Sequence, residues 1–120
     1  MLWQAAGRLL SRGTKVGLVT NDQAPDLVDT GFLSCEGFSA REVAGSCFCC
    51  NFHGLIQAVK GVRDETAAEV VMAEPVGSCA DISATLLQPL KASYEDVFSV
   101  APFSVLADPL RIRAVLTGHT

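Results

Sequence analysis

Apolar residues follow two spacings along this chain, one typical of helices and the other of buried strands. Helical spacing is found over residues 2–11, 51–62, about 81–91 and 110–116. Short apolar runs that predict strands cover residues 15–20, 67–73 and roughly 98–107. Gly13 supplies a stop signal for the first helix, and Pro102 indicates that the last strand is bent or lies at an edge.

The order of these segments predicts the fold class. Helix, strand, loop, helix, strand, helix, strand is the order of an α/β domain with a mostly parallel sheet and crossover helices. Residues 23–40 carry Pro25, Gly31 and Gly37 and are predicted to be a loop, whose length suggests function or mobility. With 120 residues, the chain is expected to form one domain.

Composition and charge exclude several classes of protein. The chain is 49% hydrophobic and 18% charged, which predicts a globular protein. A net charge of −4 argues against general nucleic-acid binding, and no apolar run reaches the roughly 18 residues of a membrane span. Five cysteines without a secretory signal predict a reducing, cytoplasmic location and thiol or metal chemistry rather than a disulfide framework.

Three of the cysteines, Cys47, Cys49 and Cys50, lie within four residues shortly after Gly45. Neighbouring cysteines this close form poor disulfides, whereas thiolates are favoured ligands for zinc and other soft ions. In an extended segment Cys50 would point away from the other two, so convergence requires a turn in the backbone. The alternative is that all three are buried as small hydrophobic residues.

Asn51 follows this cluster directly and is predicted to cap the helix over residues 51–62. A cap at this position places Cys49 and Cys50 near the positive end of the helix, where thiolates are stabilised. His53 is a candidate fourth ligand, because imidazole often joins thiolates on zinc. A solvent-facing His53 is the alternative.

Polar residues also follow two predicted strands at their carboxyl ends, where parallel sheets bind ligands. Asn21 and Asp22 follow the first of these strands, and Glu74 follows the second. An acid at this position commonly orders water or holds magnesium beside a nucleotide. Gly77 allows its backbone N–H to approach a phosphate closely. A turn with a solvated acid is the alternative.

Four segments, taken in order, resemble the CobW/HypB/UreG family of GTPases, nearest its CobW-like branch. They are Asn-Asp at residues 21–22, Gly-Ser-Cys-Phe-Cys-Cys at 45–50, Val-Val-Met-Ala-Glu-Pro-Val-Gly at 70–77, and Ser-Val-Leu-Ala-Asp-Pro at 104–109. The resemblance extends from about residue 2 to residue 108. It implies that residues 1–120 are a partial CobW-like nucleotide-binding domain with a Rossmann-like, three-layer P-loop NTPase fold.

The resemblance also implies a function, the delivery of a metal ion to a client protein in a GTP-dependent way. Zinc is the preferred ion, with cobalt or nickel as alternatives, and the protein is a possible homo-oligomer. The implied metal ligands are Cys47, Cys49, Cys50 and Asp22. The implied residues at GTP and its magnesium ion are Asn21, Asp22, Glu74 and Gly77, with Glu74 and Gly77 facing the terminal phosphate and the attacking water.

Two family motifs do not occur in these 120 residues, the Gly-x-x-x-x-Gly-Lys-Ser/Thr phosphate loop and the guanine-reading Asn-Lys-x-Asp. We therefore expect a fragment or split product that binds GTP only if the phosphate loop is supplied. A nucleotide-independent module for metal storage or sensing is the alternative. A thiol redox protein is a third interpretation, weakened by the extra cysteine inside the Cys-x-x-Cys spacing.

We predict that the 120-residue chain alone does not hydrolyse GTP at a useful rate. Without the backbone cradle and lysine of a phosphate loop, most of the electrostatic grip on the phosphates is lost. Phosphate release from GTP and magnesium measures this, with an intact CobW-like GTPase as the positive control. Turnover comparable with that of the control would contradict the prediction.

Overall fold

The computed structural model describes residues 2–22, 39–76 and 81–118. Its first five elements are α1 (Leu2–Ser11), β1 (Val16–Asp22), β2 (Ser39–Ala44), α2 (Phe52–Thr66) and β3 (Val70–Glu74). A π-helical turn, Ser83–Leu87, leads into α3 (Gln88–Tyr94), and α4 is Pro109–Leu116. Among the helices of these ranges, none combines the length and the apolar character that crossing a membrane requires.

The described strands form one parallel sheet in the order β2-β1-β3. The central strand β1 runs beside β2 from Gly17 opposite Ser39 to Asp22 opposite Ala44. It also runs beside β3, as far as Thr20 opposite Glu74. The carboxyl ends of all three strands therefore lie at one edge of the sheet. The α/β class and the parallel sheet are confirmed, with α2 as the crossover between β2 and β3.

Alternation along β1 directs its side chains to two different helices. Val16 and Leu18 pack with Ala6 of α1, and all three are buried. Val19 packs on the other face with Val62 and other residues of α2. The sheet is therefore covered on both faces, in three layers, with one hydrophobic core on each side. This arrangement is compatible with a Rossmann-like fold.

The π-helical turn and α3 extend the layer formed by α2. Leu86 in the π-helical turn is buried in the core on the α2 side. The ring of Tyr94 lies 6.0 Å from that of Phe52 in α2 and 6.2 Å from that of Phe98, measured between centroids. The guanidinium of Arg63 lies over the Phe98 ring. These contacts hold the chain against α2 as far as Phe98.

Strand β2 was not predicted, because the amino end of its sequence was assigned to the loop over residues 23–40. Its residues Ser-Ala-Arg-Glu-Val-Ala lack the apolar run that marks a strand buried on both faces. In the described sheet β2 pairs only with β1, and an edge strand tolerates polar residues. The exposed Arg41 of this strand pairs with Glu65 of α2.

The predicted strand over residues 98–107 is wrong, because these residues are neither strand nor helix in the structure. Phe103, Val105 and Leu106 are exposed rather than packed on a sheet face. Alternating apolar residues form a strand only where another strand pairs with them and a core covers one face. Neither condition is met here, so the local pattern alone did not determine the conformation.

The close approach of α2 to β1 gives a test of the fold. We expect Gly17→Ala to lower the free energy of unfolding by about 1–3 kcal/mol, because the added methyl would overlap Cγ1 of the buried Val62. Urea denaturation measures the change. Gly7→Ala in α1 is the control, since its added methyl meets nothing within 4 Å and alanine favours the helix by up to about 1 kcal/mol.

A double variant identifies the clash as the cause of this loss. Val62→Ala removes the methyl group that Gly17→Ala would overlap. The pair together is therefore expected to lose less stability than the sum of the two single changes. Strict additivity, or a Gly17→Ala chain as stable as the wild type, would show that the helix is not packed this closely on the strand.

Candidate metal centre

The sulfur atoms of Cys47, Cys49 and Cys50 converge between β2 and α2. All three Sγ atoms lie within 4.8 Å of one another. The Cys47 and Cys49 sulfurs are 2.9 Å apart, well beyond the roughly 2.05 Å of a disulfide bond, and none of the three cysteines is in a disulfide. The convergence predicted for a turn at this point is confirmed.

The spacing of these sulfurs is close to what a tetrahedral zinc ion requires. With Zn–S bonds of about 2.3 Å, tetrahedral geometry places two sulfurs about 3.8 Å apart. The separation of 2.9 Å is about 1 Å shorter than this value, and the upper limit of 4.8 Å is about 1 Å longer. The cluster is therefore within about 1 Å of the sulfur spacing of a zinc site and could hold one soft ion.

The backbone turns because of a glycine and a buried ring. Gly45 has φ of +85°, a left-handed conformation that favours glycine. The carbonyl of Cys47 then accepts hydrogen bonds from the backbone N–H of Cys50 and of Asn51, at 3.1 and 2.9 Å. Phe48 is 1% exposed and packs in the core beneath α2. Residues 45–50, which we call the Cys turn, are therefore anchored to the hydrophobic core by Phe48.

The thiols themselves lie at the surface. Cys47 and Cys49 are half-buried, and Cys50 is exposed. The alternative that these cysteines are buried small hydrophobic residues is therefore wrong. Cys50 is therefore open to solvent, from which a metal ion or a protein that exchanges one would approach.

Asn21, the next-to-last residue of β1, lies beneath the Cys turn. Its amide nitrogen donates hydrogen bonds to the carbonyls of Val43 and Ser46, both at 2.8 Å. Its Oδ1 accepts a hydrogen bond from the backbone N–H of Phe48 at 3.0 Å. Asn21 is only 8% exposed, so these bonds are made away from solvent. The side chain predicted to meet a nucleotide is directed toward the Cys turn.

Sequence reasoning missed these hydrogen bonds, although a signal for them was present. Alternation along β1 places Asn21 on the same face as Val19, which is fully buried. A polar side chain on a buried face needs hydrogen-bond partners inside the protein. Which backbone groups supply them depends on β2, the strand that was not predicted.

The start of α2 agrees with the prediction for Asn51. Its side chain caps the helix by accepting a hydrogen bond from the backbone N–H of Gly54 at 3.1 Å. Cys50 therefore lies immediately before the amino end of a 15-residue helix. This is the position where a thiolate was expected to be stabilised.

The thiol chemistry at Cys50 runs against that expectation. Hydrogen bonds with Cys47, then with Cys49, and the charges of the same two groups raise the pKa of Cys50 from its ordinary 9.0 to about 11. A raised pKa favours the neutral thiol, so its contribution to the stability of the metal-free fold is complete below 9.0 and is lost as the pH rises toward 11.

Other predicted site residues lie at the same edge of the sheet. Glu74 ends β3, is exposed, and lies opposite Thr20 of β1. Alternation along β3 places it on the α1 face with Met72, whereas the Cys turn lies on the α2 face. Asp22 ends β1, but its side chain lies outside the described part of the structure, and so does Gly77. The roles predicted for these two residues stay predictions.

Three or more His, Cys, Asp or Glu side chains converge at one place among the described residues, and that place is this cysteine cluster. His53 is exposed and is not part of it.

Comparison of the chain with protein-family profiles, with curated proteins and with solved structures gives no match in any of the three. The relation to CobW-like GTPases therefore stays a prediction from the motifs.

The raised pKa of Cys50 gives a pH dependence with a definite sign. Cys50 is protonated near neutral pH and must lose its proton to bind a metal, so we expect zinc affinity to rise between about pH 6 and pH 8. The rise is about tenfold per pH unit for each proton released. Calorimetry in buffers of different ionisation enthalpy counts these protons.

Cys50→Ser is the matched variant for this measurement. It is expected to release fewer protons than the wild type, because one thiol has been removed. Zinc affinity that is independent of pH over this range, or equal proton release by both chains, would show that Cys50 does not ionise on binding.

Proposed function

We propose that this protein binds one soft metal ion, zinc in the first place, through Cys47, Cys49 and Cys50, and passes it to a client protein. The observation that carries the proposal is the convergence of three Sγ atoms within 4.8 Å at the protein surface. Cobalt or nickel are the alternative ions, since the same thiolate set binds them as well.

Transfer is favoured over a structural role by the exposure of the ligands. Structural zinc sites are usually closed to solvent by their protein ligands, whereas one of the three clustered thiols is exposed. A client can therefore approach the ion while it is still held. Because Cys50 is exposed, a client thiolate or imidazole can replace it before the two half-buried thiols.

The GTP-dependent part of the proposal depends on the resemblance to CobW-like proteins. It is supported by the position of the Cys turn beside the carboxyl edge of a parallel sheet, where nucleotides bind in this architecture. In the proposed complete site Glu74 and Gly77 face the terminal phosphate, and Asp22 lies near magnesium or the transferred ion. A nucleotide-dependent shift of this edge would alter the ligand geometry and release the metal.

A nucleotide-independent module for metal storage or sensing is the second candidate. The sequence favours it in one respect, because none of its three lysines follows a glycine as the phosphate-loop lysine does. Zinc titration with simultaneous measurement of bound nucleotide separates the two functions. In the protein with the phosphate loop supplied, zinc affinity that differs between GTP, GDP and no nucleotide favours the GTP-dependent carrier, and equal affinity favours the storage module.

The metal site is tested with cysteine variants. We expect one zinc ion per chain in a Cys35→Ser, Cys79→Ser background, which retains the three clustered thiols alone. Each further change of Cys47, Cys49 or Cys50 to serine should weaken binding more than the roughly 10- to 100-fold typical of residues outside the ligand set. Competition with a chromophoric chelator measures the affinity, and thiol titration should show that all three sulfurs become protected.

The background chain is itself the control, because it should bind zinc as the wild type does. A chain in which all three clustered cysteines are serine should bind no zinc in the same range. Undiminished binding by that chain would refute the site. Disulfide formation in place of metal binding would favour the redox alternative.

A further inference from the structure

We propose that Asn21 is a positioning residue for the thiol cluster, holding the Cys turn in its metal-binding conformation before the ion arrives. The inference rests on the proposed metal-binding function and adds to it a residue that is not a ligand. It follows from three hydrogen bonds that join one buried side chain to the segment containing the cysteines.

The partners of Asn21 enclose Cys47 along the chain. The carbonyl of Ser46, immediately before Cys47, accepts from Nδ2 at 2.8 Å. The N–H of Phe48, immediately after Cys47, donates to Oδ1 at 3.0 Å. Both peptide groups that flank the Cα of Cys47 are therefore fixed to the same amide. The direction in which the Cys47 side chain leaves the backbone is fixed with them.

The third hydrogen bond joins this clamp to the sheet. Nδ2 also donates to the carbonyl of Val43, which lies opposite Asn21 in the pairing of β1 with β2. Gly45, with φ of +85°, lies between the Val43 and Ser46 carbonyls and turns the chain at this point. The buried side chain of Asn21 thus joins the central strand to the Cys turn.

A primary amide is the side chain that suits this position. It offers two N–H donors for the two carbonyls and one acceptor for the Phe48 N–H. Aspartate has nearly the same shape but only acceptors when ionised, so it would place negative charge against both carbonyls. Alanine removes all three hydrogen bonds. These differences make Asn21→Asp and Asn21→Ala informative substitutions.

The chain supplies a matched control in its only other asparagine, Asn51. Asn51 also adjoins the Cys turn and also accepts a backbone hydrogen bond, from Gly54, but it serves the helix α2. Asn51→Ala therefore removes a cap from the other flank of the cluster. It leaves the hydrogen bonds of Asn21 in place.

We expect Asn21→Ala and Asn21→Asp to weaken zinc binding by about 10- to 100-fold, the usual effect of losing a residue that orients metal ligands. With cobalt at saturation, the sulfur-to-cobalt charge-transfer absorption per bound ion should also change, since the thiolates are no longer held in one geometry. Asn51→Ala should match the wild type in both measurements. A loss of stability alone would change neither the wavelength nor the intensity of this absorption at saturation.

The proposal is overturned if Asn21→Ala binds zinc and cobalt as the wild type does, or if Asn51→Ala has the same effect as Asn21→Ala. Hydrogen exchange in the unmodified chain gives an independent test that needs no folded variant. The Phe48 amide proton should be protected in the metal-free protein, because Asn21 Oδ1 already accepts it. Rapid exchange of this proton until zinc is added would mean that the metal, not Asn21, organises the turn.

These results also separate this inference from the function on which it rests. If the wild-type chain binds no zinc, the proposed metal-binding function fails. Protection of the Phe48 amide would then still show that Asn21 holds the turn, and would limit its role to the conformation of that segment. If zinc binds tightly while this proton exchanges freely, the metal site stands and the positioning role fails.

Discussion

Burial of the Phe48 side chain decides where the three thiols of this protein lie. The ring is 1% exposed and packs with Val19 and Leu55 in the core between the sheet and α2. Removing such a side chain from water contributes about 1.5–3 kcal/mol. With Phe48 fixed inward, the short turn carries Cys47, Cys49 and Cys50 outward to one side. The convergence of the three thiols is thus a consequence of how one aromatic residue packs.

Burial of the ring imposes a second requirement, because the Phe48 backbone N–H is withdrawn from water with it. An unpaired buried N–H costs about 1–3 kcal/mol, and Asn21 Oδ1 meets this requirement. Gathering the thiols disfavours their ionisation, first through the hydrogen bonds of Cys50 with Cys47 and Cys49 and then through charge, which raises the pKa of Cys50. Neutral thiols tolerate this proximity and three thiolates do not, so a cation is the natural counterpart of the ionised cluster. Packing builds the cluster, and in the proposed function a metal ion would compensate its charge.

The sequence predicted those features that short segments determine by themselves. The apolar run before Asn21 became β1, and Asn51 became the cap of α2, because both depend on residues close in the chain. Strand β2 and the hydrogen bonds of Asn21 depend on contacts between segments more than 20 residues apart, as Asn21 and Val43 are. Residues 98–107 show the opposite error, a strand that was predicted but does not form, because their alternating pattern is not paired with any described strand. Local patterns identify candidates, and long-range pairing selects among them.

The positions of Glu74 and the Cys turn constrain how a nucleotide would act on the metal in the proposed function. The two lie at one edge of the sheet but on opposite faces, so a signal cannot pass by direct contact of side chains on one surface. Among the described residues, a covalent and hydrogen-bonded route between Glu74 and the Cys turn runs through the end of β1. There Thr20 lies opposite Glu74, and the next residue, Asn21, holds the Cys turn. Coupling of the two sites by this route requires the end of β1 to adopt two arrangements, which both sites would have to favour differently.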